Sequence, residues 1–235
     1  MLVAGASSGM GRAIALAAAG AGTDVVMLAR RPEPLRAAAE AVRAAAPGVT
    51  VTEIAADASD GDALTAALAP HRPLVDRIGI LVNSVGTNIA QRAFGELTAA
   101  SWAGMLDTNL SAAFNLTRMV IPGMRARGDG LVIHIASTAA RRADRSGAAY
   151  QAAKAGVVAL THAIMEEERA NGIRMTAILP GMTDTPLLDR RPTPPTPEDR
   201  ARALQPADVA AACLFVMQLP TRAHVAEILM QPSLS

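Results

Sequence analysis

Two periodicities alternate along this chain. Nearly continuous apolar runs (MLVA, DVVML, VTVTEIAAD, IGILVNSVG, GLVIHIAS, IRMTAILPG and a closing VAEILM) are separated by Ala-rich stretches with apolar residues at helical spacing. The runs read as strands, and the stretches as helices over about 11–21, up to 46, 60–69, 99–127, 148–171 and 206–218. Strands without polar alternation are buried on both faces, and a helix after each one supplies the cover. The pattern therefore predicts an α/β fold, a doubly wound parallel sheet in a single domain over 1–235. One segment breaks it. DRRPTPPTPEDR, residues 189–200, carries repeated Pro, which denies helix and ladder hydrogen bonds. A surface loop over about 187–203 is expected there, and its place directly after the sixth strand suggests a lid over a substrate.

Composition narrows the function classes. Net charge is +1, and the basic residues are scattered Arg without interleaved aromatics, so no nucleic-acid partner is expected. No apolar stretch is long enough to span a bilayer, and Gly, Ser and Arg12 interrupt the apolar start, so neither membrane association nor a signal peptide is expected. The single cysteine, Cys213, lies in an apolar helical run and reads as a core residue. A cytoplasmic protein is the expectation. His71, His134, His162 and His224 are not grouped at ligand spacing, so no metal is expected.

Candidate chemistry sits at the strand ends. Gly5, Gly9 and Gly11, with Ser7, Ser8 and Met10 between them, fill the turn from first strand to first helix. Glycines there permit a tight turn and close backbone approach to a pyrophosphate, which the helix N-terminus attracts. The only tyrosine and the only lysine, Tyr150 and Lys154, lie four residues apart, so on a helix they share a face. Every other basic side chain among the 22 Lys and Arg is Arg, and a lysine can release a proton where an arginine cannot. A phenol titrates near pH 10, and a neighbouring cation is expected to bring it toward neutrality, where it serves as a general acid or base. Ser137 ends the run LVIHIAS, in reach of a ligand beyond the strand ends, and Asn109 falls inside an apolar helix, where its amide needs a buried partner.

Together GASSGMG, NSVG, Asn109, Ser137 and Tyr150-x-x-x-Lys154, in this order and spacing, resemble the short-chain dehydrogenase/reductase family over nearly the whole chain. The resemblance implies a Rossmann-type fold and a nicotinamide cofactor. It implies Tyr150 as the catalytic acid/base and Ser137 as the group orienting the carbonyl. Lys154 would bind the nicotinamide ribose and lower the Tyr150 pKa, and Asn109 would hold a water linking Lys154 to solvent. Asp57, followed by Ala58, looks like the acid that bonds adenine, although it could instead cap the next helix. Asn83 and Gly86 resemble the turn backing the adenosine ribose, and Pro180, Gly181, Thr183 and Thr185 the segment contacting the nicotinamide carboxamide.

After the second strand the chain reads Ala29, Arg30, Arg31, without the acid that accepts from ribose hydroxyls, and this resembles NADP-preferring members; NAD is the other possibility. Ala4 and the NSVG turn depart from the usual pattern while keeping small or polar atoms. The first strand is short for the family, which suggests a start assigned late or a truncation. The expected substrate is a small carbonyl or secondary alcohol. Arg141, Arg142, Arg190 and Arg191 permit one bearing a carboxylate or phosphate, and the C-terminal stretch is similar to members acting on small 3-hydroxy acids such as serine. A homodimer or homotetramer built on the two long helices is implied. The competing reading is a non-catalytic dinucleotide sensor on the same fold, which would have no use for a titratable phenol.

Overall fold

The computed structural model describes residues 1–233; the last two residues of the expected domain lie outside the described residues. In chain order the elements are β1 (Leu2–Ala4), α1 (Gly9–Gly20), β2 (Val25–Ala29), α2 (Pro32–Ala45), β3 (Val51–Ala55), α3 (Gly61–Leu68), α4 (Arg72–Val75) and β4 (Ile80–Asn83). The second half continues with α5 (Ala99–Leu106), α6 (Ala112–Arg127), β5 (Gly130–Ile135), α7 (Ala148–Glu168), β6 (Ile173–Pro180), α8 (Pro197–Arg202), α9 (Pro206–Gln218) and β7 (Glu227–Met230). The strands form one seven-stranded sheet in the order β3-β2-β1-β4-β5-β6-β7, and every pair is parallel.

The five inner strands, β1, β2, β4, β5 and β6, bury both faces, as expected, whereas the edge strands do not: β3 exposes Ala55 and β7 leaves Leu229 54% exposed. Val3, Met27 and Ile133 pack with Ile14, Leu35 and Cys213 on one face, while Leu2, Leu28 and Val132 pack with Leu64, Leu116 and Val120 on the other. Although β1 has three residues, it is hydrogen-bonded to β2 on one side and β4 on the other. With every strand parallel, the order of connection reverses between β1 and β4, and the carboxyl ends at such a switch point are the usual ligand position in these sheets.

Two expectations need correction, and one alternative is removed. The helix expected over 99–127 is interrupted by a π-helical turn, Asp107–Ser111. Asp57 does not cap α3; Asp60 does, accepting from the Asp62 and Ala63 amides. The Pro-rich segment is not all loop. It holds a 3-10 turn, Pro186–Arg190, and then α8, where Pro197 sits at the start of the helix and Thr196 forms a capping box with Asp199. Proline blocks a helix interior, but a first-turn N–H has no helical partner to lose, so Pro fits there.

Candidate active site

Tyr150 and Lys154 occupy the first turns of α7. The chain enters that helix through Gly147, whose φ of 93° suits glycine and whose Cα packs so tightly that an added Cβ would lie 2.6 Å from the Arg92 carbonyl oxygen. One turn on, Lys154 is only 4% exposed, and its Nζ donates to the Ile135 carbonyl at the end of β5, 3.0 Å away. Two residues past Ile135, Ser137 stands in extended backbone, accepts from the Ala139 amide at 3.2 Å and lines the same pocket as Tyr150. The two hydroxyls thus face one pocket where β5 and α7 converge.

Asn109 reaches the same place from the π turn. Its Nδ2 donates to the Met105 carbonyl at 2.9 Å, and its Oδ1 accepts from the Thr87 amide at 3.0 Å. A π turn shifts the backbone pairing by one residue, which leaves a carbonyl to the side-chain amide. Gly86 closes the group: a Cβ there would lie 3.1 Å from both Asn109 Oδ1 and Lys154 Nζ. The loop after β4, the π turn and α7 therefore meet at one glycine.

The electrostatics differ from the expectation for the phenol. Burial raises the Tyr150 pKa, only partly offset by the Ser137 hydrogen bond and the guanidiniums of Arg191 and Arg92, and Asp144 adds to the rise. Lys154 does not supply the expected lowering. Its ammonium is engaged with Ile135 and lies 5.8 Å from the phenol ring centroid, and burial depresses its own pKa to about 8. At neutral pH the pair is a protonated phenol beside an ammonium that is easily deprotonated.

The glycine turn has the predicted close contacts. Gly5 and Gly9 have φ of 76° and 52°, and a Cβ on Gly11 would lie 2.3 Å from the Gly5 carbonyl oxygen. Ser8 is the N-cap of α1 but its side chain makes no capping bond, so the first-turn amides beside Gly9 and Met10 have no side-chain acceptor from it. Gly9 faces the Thr185 methyl, bringing the turn against the segment after β6. Met10, Pro180, Gly181, Thr183 and Thr185 line one pocket with Ser137 and Tyr150. Ser7 lies in the turn between Gly5 and Gly9 and is half-buried.

At the adenosine end, Arg30 stands 3.5 Å from Asp57, with its side chain 66% exposed. Burial pushes the Asp57 carboxyl up, but hydrogen bonds from Ser59 and the charge of Arg30 outweigh it and leave the carboxyl below its ordinary value. Arg31 is exposed at the N-cap of α2, and Ala58 is buried in the core. Asn83, buried at the end of β4, accepts from the Val85 amide at 2.9 Å and shapes the turn toward Gly86.

Sequence reasoning missed part of the pocket wall. Asn88, Arg92, Asp144 and Ser146 line it, from loops whose composition carries no periodicity. Of the four arginines considered for a substrate, only Arg191 lines the pocket; Arg141 pairs with Glu227, Arg190 donates to Thr87 Oγ1 at 2.6 Å, and Arg142 is exposed. Nothing in the sequence marks Arg92 off from the other arginines.

Comparison with known proteins gives a consistent picture. The family description "short chain dehydrogenase" matches residues 1–195. An uncharacterized oxidoreductase of Staphylococcus saprophyticus is 31% identical over 231 residues, 98% of this chain and 96% of that protein. The closed form of serine dehydrogenase complexed with NADP+ superposes with a TM-score of 0.88 at 28% identity, covering 100% of this chain and 95% of that one. A metagenomic short-chain oxidoreductase in complex with NADP gives 0.85 at 29% identity, with 100% and 97% covered.

Proposed function

The chain belongs to the short-chain dehydrogenase family and is an oxidoreductase acting on CH–OH groups, and from that premise we propose that it moves a hydride between NADP(H) and a small carbonyl or secondary alcohol. The observation that carries the reading is that Ser137, just past β5, and Tyr150, on α7, line one pocket together with Pro180, Gly181, Thr183 and Thr185.

The residues present fit a dinucleotide. The turn has no room for a Cβ at Gly5 or Gly11 and holds Gly9 at positive φ, and the uncapped start of α1 offers amides to a pyrophosphate. Asp57 and Asn83 would hold the adenosine half, Arg30 and Arg31 a ribose phosphate, Lys154 the nicotinamide ribose, and Gly181, Thr183 and Thr185 the carboxamide. When bound, the nicotinamide supplies the two-electron chemistry as a hydride donor or acceptor. The protein supplies the proton and the geometry. Ser137 holds the substrate oxygen, and Tyr150, protonated at neutral pH, gives that oxygen its proton during reduction; in oxidation it first loses its own proton and then, as the phenolate, takes the one from the alcohol. The guanidiniums of Arg191 and Arg92 favour the phenolate that forms. Asn109 fixes the Thr87 loop beside Lys154, on the side from which a proton is returned.

Consumption of NADPH and NADH with a panel of aldehydes and ketones tests this. NADPH is expected to be the better cofactor, and Arg30→Ala to lower efficiency with NADPH about ten- to a hundredfold, the worth of a charge-assisted guanidinium contact. A wild type preferring NADH reverses the cofactor choice. Binding of cofactor without turnover of any carbonyl favours the sensor reading instead.

A further inference from the structure

One charged side chain at the pocket is buried without a counter-charge in contact. Arg92, in the loop between β4 and α5, is 9% exposed, and burying a guanidinium is costly unless it is paired. Its bonds go to carbonyls: Nε donates to Ile89 and Nη2 to Arg190, each at 2.8 Å. Among the described residues it has no ion pair within 4.0 Å, and neither has Arg191, which lines the same pocket. The one acid on this wall is Asp144, whose Oδ1 is occupied in accepting from the Ser146 amide at 2.8 Å. Two guanidiniums and one carboxylate leave the wall with one positive charge in excess.

A second observation points the same way. The Ser146 hydroxyl is buried in this wall and has no hydrogen-bond partner among the described residues, whereas buried polar groups are nearly always satisfied. Its carbonyl is held by Asn88 Nδ2 at 2.9 Å, so the segment carrying it is fixed. A planar fork and a spare hydroxyl beside a single excess positive charge match a singly charged, planar anion.

We infer that Arg92 and Arg191, with Ser146, form a carboxylate subsite next to Tyr150, and that the substrate is a short hydroxy acid or its oxo acid. The inference rests on the hydride-transfer reading and adds the substrate class to it. A carboxylate seated there would tether the substrate so that its carbinol carbon lies at Ser137 and Tyr150. Burial and the neighbouring Arg191 both disfavour the charge on Arg92, and a bound anion relieves this.

The test is NADP+-dependent oxidation of 2-, 3- and 4-hydroxy acids, each beside its methyl ester and a hydroxyalkyl phosphate of similar length. The best acid should exceed its ester in kcat/KM by about tenfold or more, mainly through KM. Arg191→Gln should reduce that acid-to-ester ratio at least tenfold, and Arg92→Gln should do the same. Because Arg92 also ties two loop carbonyls, Arg191→Gln is the deciding variant; its own side chain reaches only the Met182 sulfur, at 3.7 Å. Equal use of acid and ester, preference for the phosphate, or a ratio unchanged in Arg191→Gln overturns the carboxylate subsite while leaving the oxidoreductase reading intact. Failure of every acid, ester and neutral alcohol with both cofactors overturns the reading beneath it.

Discussion

Lys154 carries its charge into the protein interior with the Ile135 carbonyl as its hydrogen-bond acceptor. Its pKa falls from 10.5 to about 8 through burial. Below pH 8 the side chain is protonated in folded and unfolded chains alike, and only the folded chain bears the cost of desolvation. From about 8 to 10.5 the folded chain gives up its proton first, so this site's contribution to stability rises with pH. At about 1.4 kcal/mol per pH unit the gap amounts to about 3 kcal/mol. Lys154→Met should therefore be more stable relative to wild type at pH 7 than at pH 10, by about 2 kcal/mol in urea denaturation without cofactor. A difference that stays constant with pH would contradict a desolvated ammonium. The Tyr–Lys pair was legible in the sequence because its spacing is local to one helix. The electrostatics were not, because Ile135, Arg92 and Arg191 come from segments far away in the chain.

At the level of elements, the start of α7 is where sequence-distant backbone meets. Gly147 has a positive φ, and its Cα abuts the Arg92 carbonyl, so Gly147→Ala combines backbone strain with a clash. The variant should lose about 2 kcal/mol or more of stability, read as a lower urea midpoint at unchanged slope. A shift worth less than about 0.5 kcal/mol would mean that this contact yields freely. Strands and long helices were readable from periodicity, since each buries a face of fixed period. The π turn at Asn109 was not, because a side-chain amide and the Thr87 loop, brought together only by the fold, displace the regular pairing. Nor was α8, since its Pro197 reads as a breaker until the capping residue before it is seen to start a helix.

On the scale of the whole molecule, the alternation of apolar runs implied a parallel sheet covered on both faces, while strand order, and with it the switch point between β1 and β4, is visible only in three dimensions. Glycine turn, Ser137, Tyr150 and the segment after β6 all converge on the carboxyl end of that sheet. A ligand spanning them ties both halves together. NADPH at a hundred times its Kd should stabilise the fold by about 2.7 kcal/mol, which raises the melting temperature of a chain this long by roughly 5–10 °C. NADH at the same concentration should give a smaller shift; an equal one would remove the role given to Arg30. The account as a whole is decided most directly by comparing Tyr150→Phe with wild type for NADPH binding and for carbonyl reduction in the same preparation. It predicts cofactor affinity within about threefold of wild type and turnover lower by about 100-fold or more, the loss expected for a general acid. Retention of more than about a tenth of the rate would contradict a phenol that delivers the proton.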